Sequence, residues 1–341
     1  MNVVYSSSDS YAELCGISIV SLCENNRDVD TISIFVIDND ISPLNKDKLK
    51  KTAENYGRSL QFVPKINLNE LINRNIYVGR WNIGTFYRLY LSSLLPNDIE
   101  RVFYIDCDII VRSSLNELFN IDLKGCSVAG VDDCRCDLYR IDIGCNPGDL
   151  YINNGFILID LKKWREDKVE DDFSNFISLR NGDCTYMDQA PLNGILIPRH
   201  EIMELPAKYN AQRIFFDFSY DELLRLRKPE KHLSIEEYNE AVQNPIVVHF
   251  TPVFISGTRP WQEKDNHPFR DEFLNYKSLS LWKDEPLRKD DRKARKKIMT
   301  IICKMLPRKM MIGIMSYLHA VWYPKQRIKI RNKALKKSQN S

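Results

Sequence analysis

Apolar positions in the first part of the chain switch between the two periods of regular structure. Residues 3–6 read as a short buried strand running into a Ser/Asp loop, after which Leu14, Ile17, Ser18, Ser21 and Leu22 follow at helical spacing. A second apolar run over 32–37 precedes Ser42-Pro43, an N-cap and first-turn pair that starts a helix continuing through Leu49 toward Tyr56. A third strand is expected over 60–63. This β-α-β-α-β order predicts an α/β fold with a mainly parallel, Rossmann-like central sheet flanked by helices on both faces. Such sheets bind ligands beyond the C-terminal ends of their strands, so the loop Ser6-Ser7-Ser8-Asp9-Ser10-Tyr11 is a candidate nucleotide contact. Ser and Asp after a strand are also ordinary helix caps, and the loop alone does not choose between the two.

Length and composition narrow the class. With 341 residues and 43% hydrophobic content the chain can bury a large core. No uninterrupted apolar run of about 18 residues appears, and the first residues lack a basic n-region, so neither a membrane span nor a secretory leader is expected. Nine cysteines, scattered and without paired clusters at zinc spacing, suggest reduced thiols in a cytosol. Charge changes the picture more. Residues 288–341 hold 17 of the 49 Lys and Arg but only two acids, which puts +15 on the tail and −12 on the remainder. Only the tail should seek a polyanion. Its Ile298, Ile301, Ile302 and Met305, then Met311, Ile314, Met315, Leu318, Val321 and Trp322 beyond Pro307, are spaced as an amphipathic helical region suited to an anionic membrane surface. Packing against the rest of the chain is the rival reading. No nucleic-acid motif accompanies the charge, and no nucleic-acid partner is expected. The organisation expected is a catalytic domain over 1–285 and a basic amphipathic C-terminal region over 286–341.

The strongest local signal is Tyr104-Ile105-Asp106-Cys107-Asp108, where an apolar strand ends in two acids one residue apart and a second apolar run follows. Carboxylates at i and i+2 can converge on one hard divalent cation where the backbone bends. A pair of solvated turn acids is the bland alternative. Beyond this motif the chain resembles the family 8 glycosyltransferases, in particular bacterial lipopolysaccharide galactosyl- and glucosyltransferases. The resemblance runs in order through Ser6 to Tyr11, Gly84-Thr85-Phe86-Tyr87-Arg88-Leu89, the acidic motif, Tyr151-Ile152-Asn153-Asn154-Gly155-Phe156 with Leu161-Lys162-Lys163-Trp164, Asp188-Gln189, and His249-Phe250 ahead of Arg259-Pro260-Trp261.

That resemblance implies a GT-A type fold and a retaining transfer of hexose from UDP-galactose or UDP-glucose to a glycolipid or oligosaccharide acceptor. It implies that Asp106, Asp108 and His249 ligate Mn²⁺ or Mg²⁺. Ser6, Asp9, Tyr11, Arg88, Asp106, Asp132, Asn153, Gly257 and Arg259 are implied as donor contacts, and Asp188 and Gln189 as the pair beside the anomeric carbon. Each also has an ordinary role: His249 alone suits a core or cap, Arg88 a helix surface, and Asp188-Gln189 a helix N-terminus. Two positions depart from the family pattern. Ser8, Asp9 and Ser10 stand where adjacent acids and an Asn occur, and Arg259 replaces a lysine that reaches the diphosphate. Residues 133–149 fall where the family places a mobile acceptor-side loop. Phe215, Phe216, Phe218 and Tyr220 suit either an acceptor groove or the core. The acceptors implied are lipopolysaccharide, capsule or a related surface glycan, at the cytoplasmic face of the plasma membrane. Nucleotidyl transfer and a non-catalytic sugar-nucleotide-binding module are the alternatives.

Overall fold

Alternation of side chains along the strands divides the core into two layers. In the computed structural model, which describes residues 1–71 and 83–339, Val3 and Tyr5 of β1 (Asn2–Ser8) face one apolar cluster and Val4 faces the other. β2 (Ser33–Asn39) splits Ile34 and Val36 from Phe35 and Ile37 in the same way. This period of two, with both faces apolar, is what a strand covered by helices on both sides requires. The remaining strands are β3 (Ser59–Pro64), β4 (Arg101–Ile105), β5 (Ile109–Val111), β6 (Val128–Asp132), β7 (Ile152–Asp160), β8 (Ile202–Glu204), β9 (Ala211–Gln212) and β10 (Val247–His249).

Among the described residues the main sheet has the order β3-β2-β1-β4-β7-β6-β8, and β5-β10-β9 form a second, small sheet. Pairing in the main sheet is parallel except along β7, which runs antiparallel to both β4 and β6. The reversed strand lets β7 present its beginning, Asn153 to Gly155, beside the end of β4.

The helix expected after β1 is Ala12–Glu24, but it is buried on all sides and not on one stripe. It lies between the main sheet and later segments of the chain, and Gly16 is where the Trp282 ring presses against it: a Cβ there would lie 2.2 Å from the indole. Ser42 caps the next helix, Pro43–Glu54, by accepting the Asn45 N–H. The aromatic segment 215–220 belongs to the core, with Phe215 and Phe218 buried and Phe216 and Tyr220 packed against them.

The C-terminal region both packs and protrudes. Helix Arg308–Ser316 buries Met311, Ile312 and Met315, and Arg327 and Arg331 bond Asp183 and the carbonyl of Ile141 on the body of the chain. Helix Ala294–Met305 leaves Ile298 and Met305 56% and 80% exposed. No helix among the described residues is long and apolar enough to cross a membrane.

Candidate active site

The two acids sit where the chain leaves one sheet for the other. β4 ends at Ile105 in the main sheet and β5 begins at Ile109 in the small one, so Asp106 and Asp108 occupy the corner between them. Each end of the corner is tied down. The Asp106 N–H donates to the Gly155 carbonyl at 2.7 Å, and the Phe250 N–H donates to the Asp108 carbonyl at 2.9 Å. Antiparallel pairing of β10 with β5 sets His249 opposite Ile109, and the imidazole thereby reaches the acids from a position 141 residues downstream of Asp108.

The result is a three-ligand cluster. One carboxylate oxygen of Asp106, one of Asp108 and a ring nitrogen of His249 all lie within 4.8 Å of one another. His249 Nε2 is 3.3 Å from Asp108 Oδ1 and 3.9 Å from Asp106 Oδ2. The other oxygens are taken by arginines: Arg88 Nη2 donates to Asp106 Oδ1 and Arg259 Nη1 to Asp108 Oδ2, each at 2.8 Å. The second ring nitrogen, Nδ1, is 3.0 Å from Asn210 Oδ1, a contact that orients the ring when Nδ1 carries the proton. Burial works against a charged Asp108, but His249 and Arg259 outweigh it and hold its carboxyl at about 2. Two hard oxygens and an imidazole, with the ring oriented by a neighbouring amide, fit a divalent cation such as Mn²⁺ or Mg²⁺.

Gly155 makes this convergence sterically feasible. A Cβ there would lie 2.3 Å from His249 Cε1 and 2.8 Å from Asp106 Oδ2. The glycine stands in the Asn153-Asn154-Gly155 motif, but its role is invisible until β7 is laid beside β4.

Asp188 and Gln189 begin helix Gln189–Leu196, yet the Asp188 side chain does not cap it. Arg88 Nε lies 2.9 Å from Asp188 Oδ2, and Asn154 Nδ2 donates to the same oxygen. The turn that delivers it places Tyr186 and Met187 consecutively in the left-handed region, at φ 57° and 56°, a conformation disfavoured for both residues. Burial pushes the Asp188 carboxyl up to about 6 against the opposing charge of Arg88. Gln189 Nε2 donates to Asp133 Oδ2 at 2.9 Å, and its Oε1 is 3.4 Å from Asn153 Nδ2.

The other expected contacts divide. Two cavities, of about 330 and 350 Å³, share Thr85, Arg88, Asp106, Asp108 and Arg259 at their junction. Ser6 and Tyr11 line the one at the end of β1, and Asn153, Asp188, Gln189 and His249 line the other. Asp9 lines neither: its Oδ1 accepts from the Ser42 N–H and Asn45 Nδ2, each at 2.8 Å, which supports the start of the neighbouring helix. Asp132 bonds Arg140 at 3.2 Å, and burial lifts its carboxyl to about 7. Its neighbour Asp133 is the acid that meets Gln189. Gly257, at φ 69°, packs under the Arg292 guanidinium. Sequence reasoning did not single out Asp133, Asn210, Gln212, Arg227 or His319. Asn210 precedes, and Gln212 belongs to, a two-residue strand too short to show a period, and the others depend on distant segments meeting.

A model of glycosyl transferase family 8 matches residues 2–265. The chain belongs to glycosyl transferase family 8. Among relatives of this family 8 chain, General stress protein A of Bacillus subtilis (strain 168) is 30% identical over 287 residues, covering 83% of the chain and 94% of that protein. The lipopolysaccharide 1,2-glucosyltransferase of Escherichia coli (strain K12) is 22% identical over 289 residues, covering 84% and 80%. The crystal structure of the galactosyltransferase LgtC with donor and acceptor sugar analogs superposes with a TM-score of 0.69 at 22% identity, over 82% of this chain and 96% of that one. The architecture is therefore the GT-A fold of family 8.

Proposed function

We propose that this family 8 glycosyltransferase is a retaining hexosyltransferase. It moves galactose or glucose from UDP-galactose or UDP-glucose to a lipopolysaccharide, capsule or related surface-glycan acceptor. The observation that carries the reading is the convergence of Asp106, Asp108 and His249 within 4.8 Å at the junction of two cavities. A divalent cation there, Mn²⁺ or Mg²⁺, supplies a Lewis acid that offsets the charge growing on the donor's β-phosphate.

The chain's own groups do the rest. Arg88 and Arg259 flank the acids and offer fixed N–H donors to diphosphate oxygens. Ser6 and Tyr11 line the nucleoside side, while Asn153, Asp188 and Gln189 line the sugar side. Held between Asn153 and Asp133, the Gln189 amide is set to stabilise positive charge at the anomeric carbon without forming a bond to it. The electron pair of the anomeric C–O bond leaves with UDP. The acceptor oxygen bonds the same carbon on the same face, its proton passes to the departing phosphate, and the configuration is kept. The test is a panel of UDP-sugars with Mn²⁺ and a UDP-release readout, first without acceptor. UDP release from one or both hexose donors supports the proposal, whereas release of pyrophosphate, or no turnover of any donor, contradicts it.

We also propose that residues 1–285 form the catalytic domain and that residues 286–341 hold it at the cytoplasmic face of an anionic membrane. Exposed Ile298, Ile301, Ile302, Met305, Met310 and Trp322 beside many lysines and arginines support this reading. Replacing Ile301 and Met305 by glutamate should release the protein from phosphatidylglycerol vesicles at low salt, and unchanged vesicle binding would refute the anchor.

A further inference from the structure

The cavity beyond Gln189 carries positive charge that hexose transfer does not use. Arg135 and Arg227 both line it. Arg135 is tied down: its Nε donates to Asp133 Oδ2 at 2.8 Å, its Nη1 to the Tyr186 hydroxyl at 3.1 Å, and its guanidinium lies 4.5 Å from the Tyr186 ring centroid. Arg227 is not. Its Nε is buried without a hydrogen-bond partner, and its guanidinium has no ion pair among the described residues. The nearby acid, Asp133, already accepts from Arg135, Gln189 and Gln212. Burial and the like charge of Arg135 push the Arg227 pKa below the ordinary arginine value.

A partly buried guanidinium that makes no ion pair, and whose nearby acid Asp133 is already taken by Arg135, Gln189 and Gln212, is costly, and an anion entering the cavity would offset that cost. The surroundings hold Arg227 in place. It ends helix Tyr220–Arg227, whose start is fixed by a Ser219/Glu222 capping box. The C-terminal region also contributes to the lining, where His319 stacks on Phe254 with ring centroids 5.7 Å apart and planes 14° apart, and its carbonyl accepts from the Tyr139 hydroxyl. The donor diphosphate does not need these arginines, since Arg88 and Arg259 already bond the metal-side acids.

We infer that this cavity is an anion subsite and that the acceptor carries a phosphate or carboxylate, gripped by the Arg227 guanidinium while its hydroxyl faces Gln189. The inference rests on the glycosyltransfer reading above and names the acceptor class for it. A planar five-donor fork suits either oxyanion bidentately.

The test uses the full chain saturated with Mn²⁺ and UDP. UDP binding is measured first by calorimetry, and its absence would defeat the donor reading itself. Methyl α-glucoside, glucose 6-phosphate and glucuronic acid are then titrated as probes. One or both anionic sugars should bind about tenfold or more tightly than the neutral one, and which of them does so separates phosphate from carboxylate. In Arg227→Met the ratio should fall to near unity, and in Arg227→Lys part of it should return. With UDP binding intact, a wild-type ratio near unity, no binding of either anionic sugar, or a preference that survives in folded Arg227→Met overturns the inference. The wild-type ratio decides the matter even where the methionine variant does not fold.

Discussion

Substituting Gly155 by alanine adds one methyl group at the point where the metal ligands meet. The new Cβ would stand 2.3 Å from His249 Cε1, and ordinary carbon contacts begin near 3.4 Å, so the ring must retreat by about 1 Å. Neither neighbour retreats freely. His249 belongs to a strand paired on both sides and meets Asn210 at 3.0 Å, and Asp106 is held by Arg88 at 2.8 Å. Overpacking of this kind costs about 1–3 kcal/mol, which lowers Tm by only a few degrees in a domain of this size. Backbone strain adds nothing, because Gly155 is not among the glycines with positive φ. Function should suffer more than stability, since displacing a ligand by about 1 Å can cost ~100-fold. Thermal melts with EDTA, then with Mn²⁺ and UDP, separate the two effects. Gly155→Ala should fold, melt slightly below the parent in EDTA, and lose most of the stabilisation by Mn²⁺ and UDP. A variant retaining the full ligand-induced shift would refute the steric account of the site.

Gly16→Ala provides the complementary case. Its Cβ would meet Trp282 at 2.2 Å, and neither residue lines the two cavities, so melts should show about 1–3 kcal/mol of destabilisation with the Mn²⁺ and UDP shift intact. His267 predicts a pH effect on stability. Burial, and then the charge of Arg213, lowers its pKa to about 3 from 6.5, so the unfolded chain takes up a proton that the folded chain refuses. Its contribution is complete above pH 6.5 and is lost as pH falls toward 3, by up to ~1.4 kcal/mol per unit. His267→Asn, which keeps an acceptor for the Phe269 N–H, should flatten denaturant-derived stability against pH over that window; a slope unchanged from the parent would contradict the reading.

Much of the architecture could be read from local pattern. Alternating apolar positions and the Ser42-Pro43 cap marked the first strands and helices within a few residues, because local propensity and tertiary context agree there. The reversed direction of β7 left no trace in the sequence, since a strand apolar on both faces looks the same whichever way it runs. At the site, Asp106 and Asp108 were legible as a motif because they interrupt an apolar run. His249 reaches them through pairing of β10 with β5, a long-range contact that only the family resemblance anticipated. Asp132 and Asp133 show where motif reading stops: adjacent acids at a strand end point in different directions, and the bulge between Gly130 and Val131 shifts the register just before them. Arg227 carried no signal, because an arginine ending a helix is ordinary until the nearby acid proves to be taken by other donors.

The most direct measurement is calorimetric titration of UDP into the purified chain with Mn²⁺, with EDTA, and again with Mn²⁺ in Asp108→Asn and His249→Ala. If those three side chains share one cation that grips the nucleotide through its phosphates, binding heat should appear for the parent with Mn²⁺, vanish in EDTA, and correspond to affinity weaker by about tenfold or more in each variant. UDP binding of equal strength in EDTA, or in either variant, would contradict that claim.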